Sequence, residues 1–336
     1  MDSLTQIVLG AATGEAVLGK KIGNKALLWG AIAGTIPDLD VMIGWFTDKV
    51  TANELHRGFS HSIFFCVLFA PIFGYLVHKL YKKQEASWKD WSWLFFWGLF
   101  THPILDAFTT WGTQLFWPAN YKVAFKSVFV VDPFYTVPFI CCVIACLFFR
   151  RNLPKRSKVN WVGIGLSSSY LIISLFLKWY TYGVFKESAQ EQGIPFSEIQ
   201  TKPTPLNTFL WNANIKTKDA YYLGNYSIFD DSKKINFVKY PKNLGLLEGI
   251  ENENIVSRLK KLTDGWYTLQ KQDGKLYFND LRFGVMDITL QDPTFVFRYH
   301  LHRNETGELI AEQSVRNPTE VKPLLNALWN RILGRN

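Results

Sequence analysis

Three short stretches carry side chains suited to metal and hydrolytic chemistry, and each interrupts apolar sequence. "PDLD" supplies Asp38 and Asp40, "HRGFSHS" supplies His56, Arg57 and His61, and "THPILD" supplies His102 and Asp106. His102 and Asp106 stand at i and i+4, so one helix face offers both to one cation. Asp38 and Asp40 follow Pro37, where the chain is expected to be extended or turning. At i and i+2 in such a stretch their carboxylates can point the same way. Gly58 is expected to let the chain turn so that His56 comes back towards His61. Ser60 is expected to cap the helix that follows. Three His and three Asp of mixed type suit zinc, with manganese or magnesium as the other candidates, as one or two ions. Bridging carboxylates with capping imidazoles are typical of two-metal hydrolytic sites. Arg57 cannot be a ligand, but beside a cation cluster it suits an anionic oxygen such as phosphate. Each motif alone also has a plainer reading: a structural His–Asp hydrogen bond, a pair of solvated carboxylates, an arginine bound to lipid headgroups.

The elements that must position these residues follow from composition. The chain has 336 residues, room for two domains, with 48% apolar and only 19% charged residues. Residues 1–182 hold nearly all the long apolar runs, and residues 183–336 read as soluble sequence. The expected fold is a membrane α-helical bundle of about six segments, followed by a soluble, mainly β (α+β) extracytoplasmic domain. A crossing helix needs ~20 mostly apolar residues. The six segments fall near 4–19, 26–46, 61–81, 91–110, 131–149 and 160–180. The first two are short or broken, and whether they fully cross stays open.

Charge sets the sidedness. Lys20, Lys21 and Lys25, then Lys79, Lys82, Lys83 and Lys89, then Arg150, Arg151, Lys155, Arg156 and Lys158 fall in alternate loops. All three loops can therefore be cytoplasmic together. The three motifs then gather at one depth on the opposite face, together with the C-terminal half. Ionisable groups in or beside membrane segments are costly unless paired or hydrated, which makes them functional candidates. The net charge of +9 belongs to these loops, so nucleic-acid binding is not expected. The 4 cysteines, Cys66, Cys141, Cys142 and Cys146, all lie in apolar runs and build no disulfide framework in the soluble half. The start "MDSLTQIVLG" lacks the basic opening of a secretory signal and reads as mature sequence.

Lesser candidates surround the motifs. Thr109, Thr110 and Gln114 can line a pocket, and Asp132 is either a ligand or a helix N-cap. Glu15 has no assigned role. His78 falls among cytoplasmic lysines and is set aside. His300 and His302 lie in an expected strand and read as structural. In the soluble half, "TFLWNANIKTKDAYYLGNYSIF", "KLYFNDLRFGVMDITL" and "TFVFRYHL" read as strands. "IENENIVSRLKKLT" and "TEVKPLLNALWNRIL" read as helices.

"MDSLTQIVLGAATGEAVLG", "AGTIPDLD", "HRGFSHS" and "THPILDAFTTWGTQLFWP" occur in order over about the first 135 residues. In this they resemble the YdjM-like family of bacterial inner-membrane proteins predicted to be metal-dependent hydrolases. "TKPTPLNTFLW" is similar to longer members. The resemblance implies an integral membrane protein with a metal-dependent hydrolase assignment, carried onto Asp38, Asp40, His56, His61, His102 and Asp106. Many members have His where this chain has Gln6, so a ligand is either lost here or replaced by an amide oxygen. The zinc-dependent phospholipases C, which use His and Asp clusters on helices, offer an analogy.

The expected function is a membrane-bound hydrolase of a phosphoester or related bond in a lipid or lipid-linked small molecule. Metal-activated water attacks, Asp38 acts as base and Arg57 holds an anionic oxygen. The expected location is the bacterial inner (cytoplasmic) membrane, multi-pass, with the site and C-terminal domain periplasmic. Two rivals remain. One is a metal-free histidine-type lipid phosphatase, although only His102-x-x-x-Asp106 of that signature is present. The other is a non-catalytic membrane protein with a transport or structural metal site.

Overall fold

Helices α1 (Ser3–Ile22) and α2 (Asn24–Thr35) touch backbone to backbone because glycine stands wherever they meet. A Cβ on Gly10 would lie 2.3 Å from the Gly30 carbonyl oxygen, and one on Gly14 would lie 2.2 Å from that of Ala26. Gly30 and Gly34 answer with the same four-residue spacing, the small-x-x-x-small pattern that lets helices approach closely in apolar surroundings. The computed structural model describes residues 1–82, 85–314 and 321–335.

The chain continues from α2 as a 3-10 helix, Ile36–Trp45, rather than breaking at "TIPDLD" into extended chain. Pro37 stands at the junction of α2 and the 3-10 helix, where it offers no N–H to the last turn of α2. Next come α3 (Lys49–Leu55), a 3-10 turn at Phe59–His61, α4 (Ile63–Leu80), α5 (Trp88–Ala107), α6 (Pro133–Leu147) and α7 (Pro154–Glu191). α5 is the most enclosed of these. Its Trp91, Leu94, Phe95 and Leu99 are buried with Leu18, Ala26 and Ala33 on one side and Phe65, Cys66, Ala70 and Val77 on the other.

These helices stand where six membrane segments were expected, but six crossings are not supported. Three stretches are long and apolar enough to cross: Asn24–Trp45, Ile63–Leu80 and Pro154–Glu191. α1 carries Glu15, Lys20 and Lys21, and α5 carries Lys89, Asp90, His102 and Asp106, so both are too polar for their length. α6 has 15 residues, ~22 Å of helix, against a hydrocarbon core of ~30 Å.

The described chain divides into two compact units. The helical unit comprises Met1–Trp45, Leu55–Phe176 and Pro205–Asn207, and the second comprises Phe46–Glu54, Leu177–Thr204 and the chain from Thr208 on. α7 runs through the expected boundary at residues 182–183.

The second unit holds two four-stranded antiparallel sheets, each a meander in chain order. The first is β1 (Glu198–Pro203), β2 (Leu210–Lys216), β3 (Ala220–Ser227) and β4 (Val238–Pro241); the second is β5 (Tyr267–Gln272), β6 (Lys275–Val285), β7 (Phe295–Arg303) and β8 (Leu309–Ser314). Val184, Phe185 and Ala189 of α7 close the first sheet over Trp211, Ala213 and Ile215. Asn214 and Lys202 donate side-chain hydrogen bonds to the β6 carbonyls of Leu281 (2.8 Å) and Arg282 (2.6 Å), which ties the sheets together. α8 (Asn254–Leu262) and α9 (Val321–Ile332) match the two expected helices, with Thr319 and Glu320 of the latter outside the described residues, as is Lys83.

Candidate metal centre

The three polar motifs meet at one end of the helical unit. His102 comes from the last turns of α5, and its ring is fixed by α2. Its Nδ1–H donates to the Gly34 carbonyl at 2.6 Å, on the face where Gly98 of α5 packs closely against Ala33 of α2. A carbonyl can only accept, so the lone pair of His102 is on Nε2. His61 is fixed in the same sense from its other side. Its Nδ1 lies 3.0 Å from Ser60 Oγ, whose own hydroxyl donates to Asp40 Oδ2 at 3.2 Å. His61 Nδ1 is therefore the donor, and its lone pair is also on Nε2. The two Nε2 atoms face each other at 3.2 Å.

Two acceptors facing at that distance repel unless a cation or proton lies between them. The carboxylates complete the set. Asp38 Oδ1 is 3.4 Å from His61 Nε2 and 3.3 Å from His102 Nε2. Asp106 Oδ2 is 3.5 Å from each of the same two atoms. Four ligand atoms bonded to one ion at ~2.0–2.1 Å form a tetrahedron with edges of ~3.3–3.4 Å. The five separations above run from 3.2 to 3.5 Å, and ligand atoms of all four residues lie within 4.8 Å of one another. Imidazole with carboxylate suits zinc and its neighbours better than calcium, which takes six or more oxygens. Asp38, His61, His102 and Asp106 thus fit one divalent ion.

The four differ in freedom. His61, His102 and Asp106 are fully buried, whereas the Asp38 side chain is 18% exposed. Asp106 is held from several directions. Gln6 Nε2 (2.9 Å) and the α-amino nitrogen of Met1 reach its Oδ1. Arg57 Nε lies 3.0 Å from its Oδ2 without hydrogen-bond alignment, and that oxygen has no hydrogen-bond partner among the described residues. Asp38 has the two imidazoles as its contacts.

The remaining expected ligands stand beside this cluster. Asp40 organises the "HRGFS" loop by accepting from His56 Nδ1–H (2.9 Å), the Arg57 backbone N–H (2.9 Å) and Ser60. His56 is partly exposed, with its ring 5.9 Å from those of His61 and Trp111. The two aspartates therefore serve opposite edges of His61, because a 3-10 helix does not stack i on i+2.

Two local expectations are corrected. The left-handed turn falls on Arg57 (φ 61°), with Gly58 at φ −92°. Helix α4 is capped by Ser62, whose Oγ accepts from the Phe65 N–H at 3.0 Å, while Ser60 serves Asp40 and His61. The Arg57 guanidinium is buried and also donates to Thr109 Oγ1 at 2.8 Å. Thr110 is buried, and the Gln114 backbone N–H donates to the Arg57 carbonyl at 3.0 Å. Asp132 caps α6 and accepts from Tyr170 at 2.7 Å, away from the cluster.

Gln6 is the neighbour that the His-to-Gln difference pointed to. Its amide donates to Asp106 and to the His102 carbonyl (3.3 Å), and its Oε1 is buried without a hydrogen-bond partner among the described residues. The Gly34 carbonyl was not anticipated. Its only sequence signal is the paired Gly-x-x-x-Gly spacing of α1 and α2.

Helices long and apolar enough to cross a membrane, with a buried histidine–carboxylate cluster at one end, point to a membrane protein with a candidate metal centre. The family model described as YdjM inner membrane protein matches residues 1–181, a stretch that contains every residue of the cluster. The chain belongs to that family. No curated protein and no solved structure matches it.

Proposed function

We propose that the protein is a membrane-bound, metal-dependent hydrolase acting on a phosphoester or related bond of a lipid or lipid-linked substrate. The observation that carries the reading is the inequality among the four ligands. Three are buried and pinned by further contacts, while Asp38 is partly exposed and its carboxylate has, among the described residues, the two imidazoles as its polar contacts. Catalytic zinc sites keep three protein ligands and one exchangeable position, whereas structural sites are closed by four. A bound ion supplies Lewis acidity to water and to an ester oxygen.

The protein's own groups do the rest. His61, His102 and Asp106 would hold the ion. Asp38 would leave its place, take the proton of the attacking water and return it to the ester oxygen that departs as the P–O bond breaks. Arg57 fixes Asp106 and keeps positive charge beside the reacting phosphoryl group. An apolar substrate fits a site flanked by spanning helices. Periplasmic exposure is part of the proposal. It is supported by the basic residues near the far end of α1, where Lys21 pairs with Asp90 at 2.7 Å and Arg156 with Glu15.

A second reading is favoured by the near-tetrahedral separations, which suit a closed structural ion. Asp38→Asn separates the two. In the hydrolase reading, the purified variant keeps its metal and loses turnover of phospholipids or prenyl phosphates. Metal loss matching that of His102→Ala, with no turnover by the wild type, supports the structural reading instead.

A further inference from the structure

The second unit carries another convergence of ligand atoms. His300 and His302 are two residues apart on β7 and so share one face of the sheet. Register places Tyr277 of β6 and Glu312 of β8 on either side of His300. The two imidazole rings stack at 4.6 Å, and His302 Nε2 is 3.8 Å from Glu312 Oε1. One ligand atom from each of the three residues lies within 4.8 Å of the others. Two antiparallel strands fix this spacing, so it does not depend on a loop. His302 Nδ1 is buried without a hydrogen-bond partner among the described residues, although the side chain as a whole is 31% exposed. Tyr277 backs the His300 ring at 5.5 Å.

We propose that His300, His302 and Glu312 form a second metal site that takes a borderline divalent transition ion from solution. Two imidazoles and one carboxylate select zinc, nickel or copper over magnesium or calcium, and leave the other coordination positions to water. Lys275 and Arg298 face the same side and oppose a cation, which makes this the weaker of the two sites. The exposed Glu312 provides the entry side.

The test is zinc titration of tag-free, full-length protein in detergent, followed by calorimetry and by metal content after desalting. Wild type takes up two ions per chain with separable affinities. His302→Asn removes the weaker one, and His300→Asn does the same. Glu312→Gln lowers its affinity at least ~10-fold. His102→Ala removes the tighter ion and leaves the weaker one in place, so the two sites fail independently. Copper loaded at the weaker site gives an electron paramagnetic resonance signal with coupling to two nitrogens, reduced to one in His302→Asn. A weak-site stoichiometry and affinity unchanged in both histidine variants would overturn the proposal, as would a copper signal without two nitrogens.

Discussion

Two buried clusters of ionisable side chains among the described residues of the helical unit are built differently. Near one end of α1, Glu15 meets Arg156 in a two-pronged pair at 2.7 and 2.6 Å, and the third guanidinium nitrogen donates to Asn24 (2.7 Å) and the Phe149 carbonyl (2.9 Å). Opposite charges are matched atom for atom, and the cluster needs nothing more. Near the other end, ~14 Å along the same helix by residue count, the donors of His61 and His102 are already spent on Ser60 and Gly34. What remains inside is two lone pairs and two carboxylate oxygens facing one another. Burial and charge alone therefore do not identify a site. The direction in which the donors and acceptors are spent does.

That contrast can be broken in order of size. Arg156→Ala or Glu15→Ala strands a buried charge and is expected to destabilise the protein by about 3–5 kcal/mol in denaturant unfolding, with metal affinity unchanged. The double change to methionine should recover most of that loss. A metal affinity that falls with the ion pair would join the two clusters and undo the distinction. Metal removal is next. Zinc at a thousandfold excess over its dissociation constant should stabilise the wild type by about 4 kcal/mol, a gain that chelator reverses. His61→Ala should lose that gain, and Glu15→Ala should keep it.

Asp40→Asn frees the loop that orients His61 without removing a ligand. Metal affinity should drop ~10–100-fold in competition titration while thermal stability of the metal-free protein changes little. A drop as deep as that of His61→Ala would mean that Asp40 itself ligates. The smallest effect belongs to Ser60→Ala, which removes one relay between Asp40 and His61 and should cost about 1 kcal/mol of zinc binding.

The motifs were legible because ionisable side chains are rare in apolar sequence, and their convergence followed from counting Lys and Arg between the segments. The division of labour was not legible. Asp38 and Asp40 were not distinguished as ligands until the 3-10 path of Ile36–Trp45 sent them to opposite edges of His61. The tautomers depend on Gly34 and Ser60, and Gly34 is 68 residues from the histidine it fixes. Glu15 had no assignable role because its partner is 141 residues away. Six crossings are not supported because the polar residues already visible in α1 and α5 outweigh their length and α6 has only 15 residues. The strands with strong aromatic and β-branched alternation, β2, β3, β6 and β7, were visible. The shorter β1, β4, β5 and β8 become strands by pairing with them.

The central claim is that Asp38, His61, His102 and Asp106 hold one divalent ion. Zinc X-ray absorption on protein carrying His300→Asn and His302→Asn isolates that centre. The account predicts one tightly held zinc per chain, with nitrogen and oxygen neighbours at ~2.0–2.1 Å and two imidazoles in the scattering, lost when His61 or His102 is changed to Ala. A protein that holds no ion, or one whose bound zinc is unaffected by either substitution, would contradict it and leave the facing imidazoles bridged by a proton.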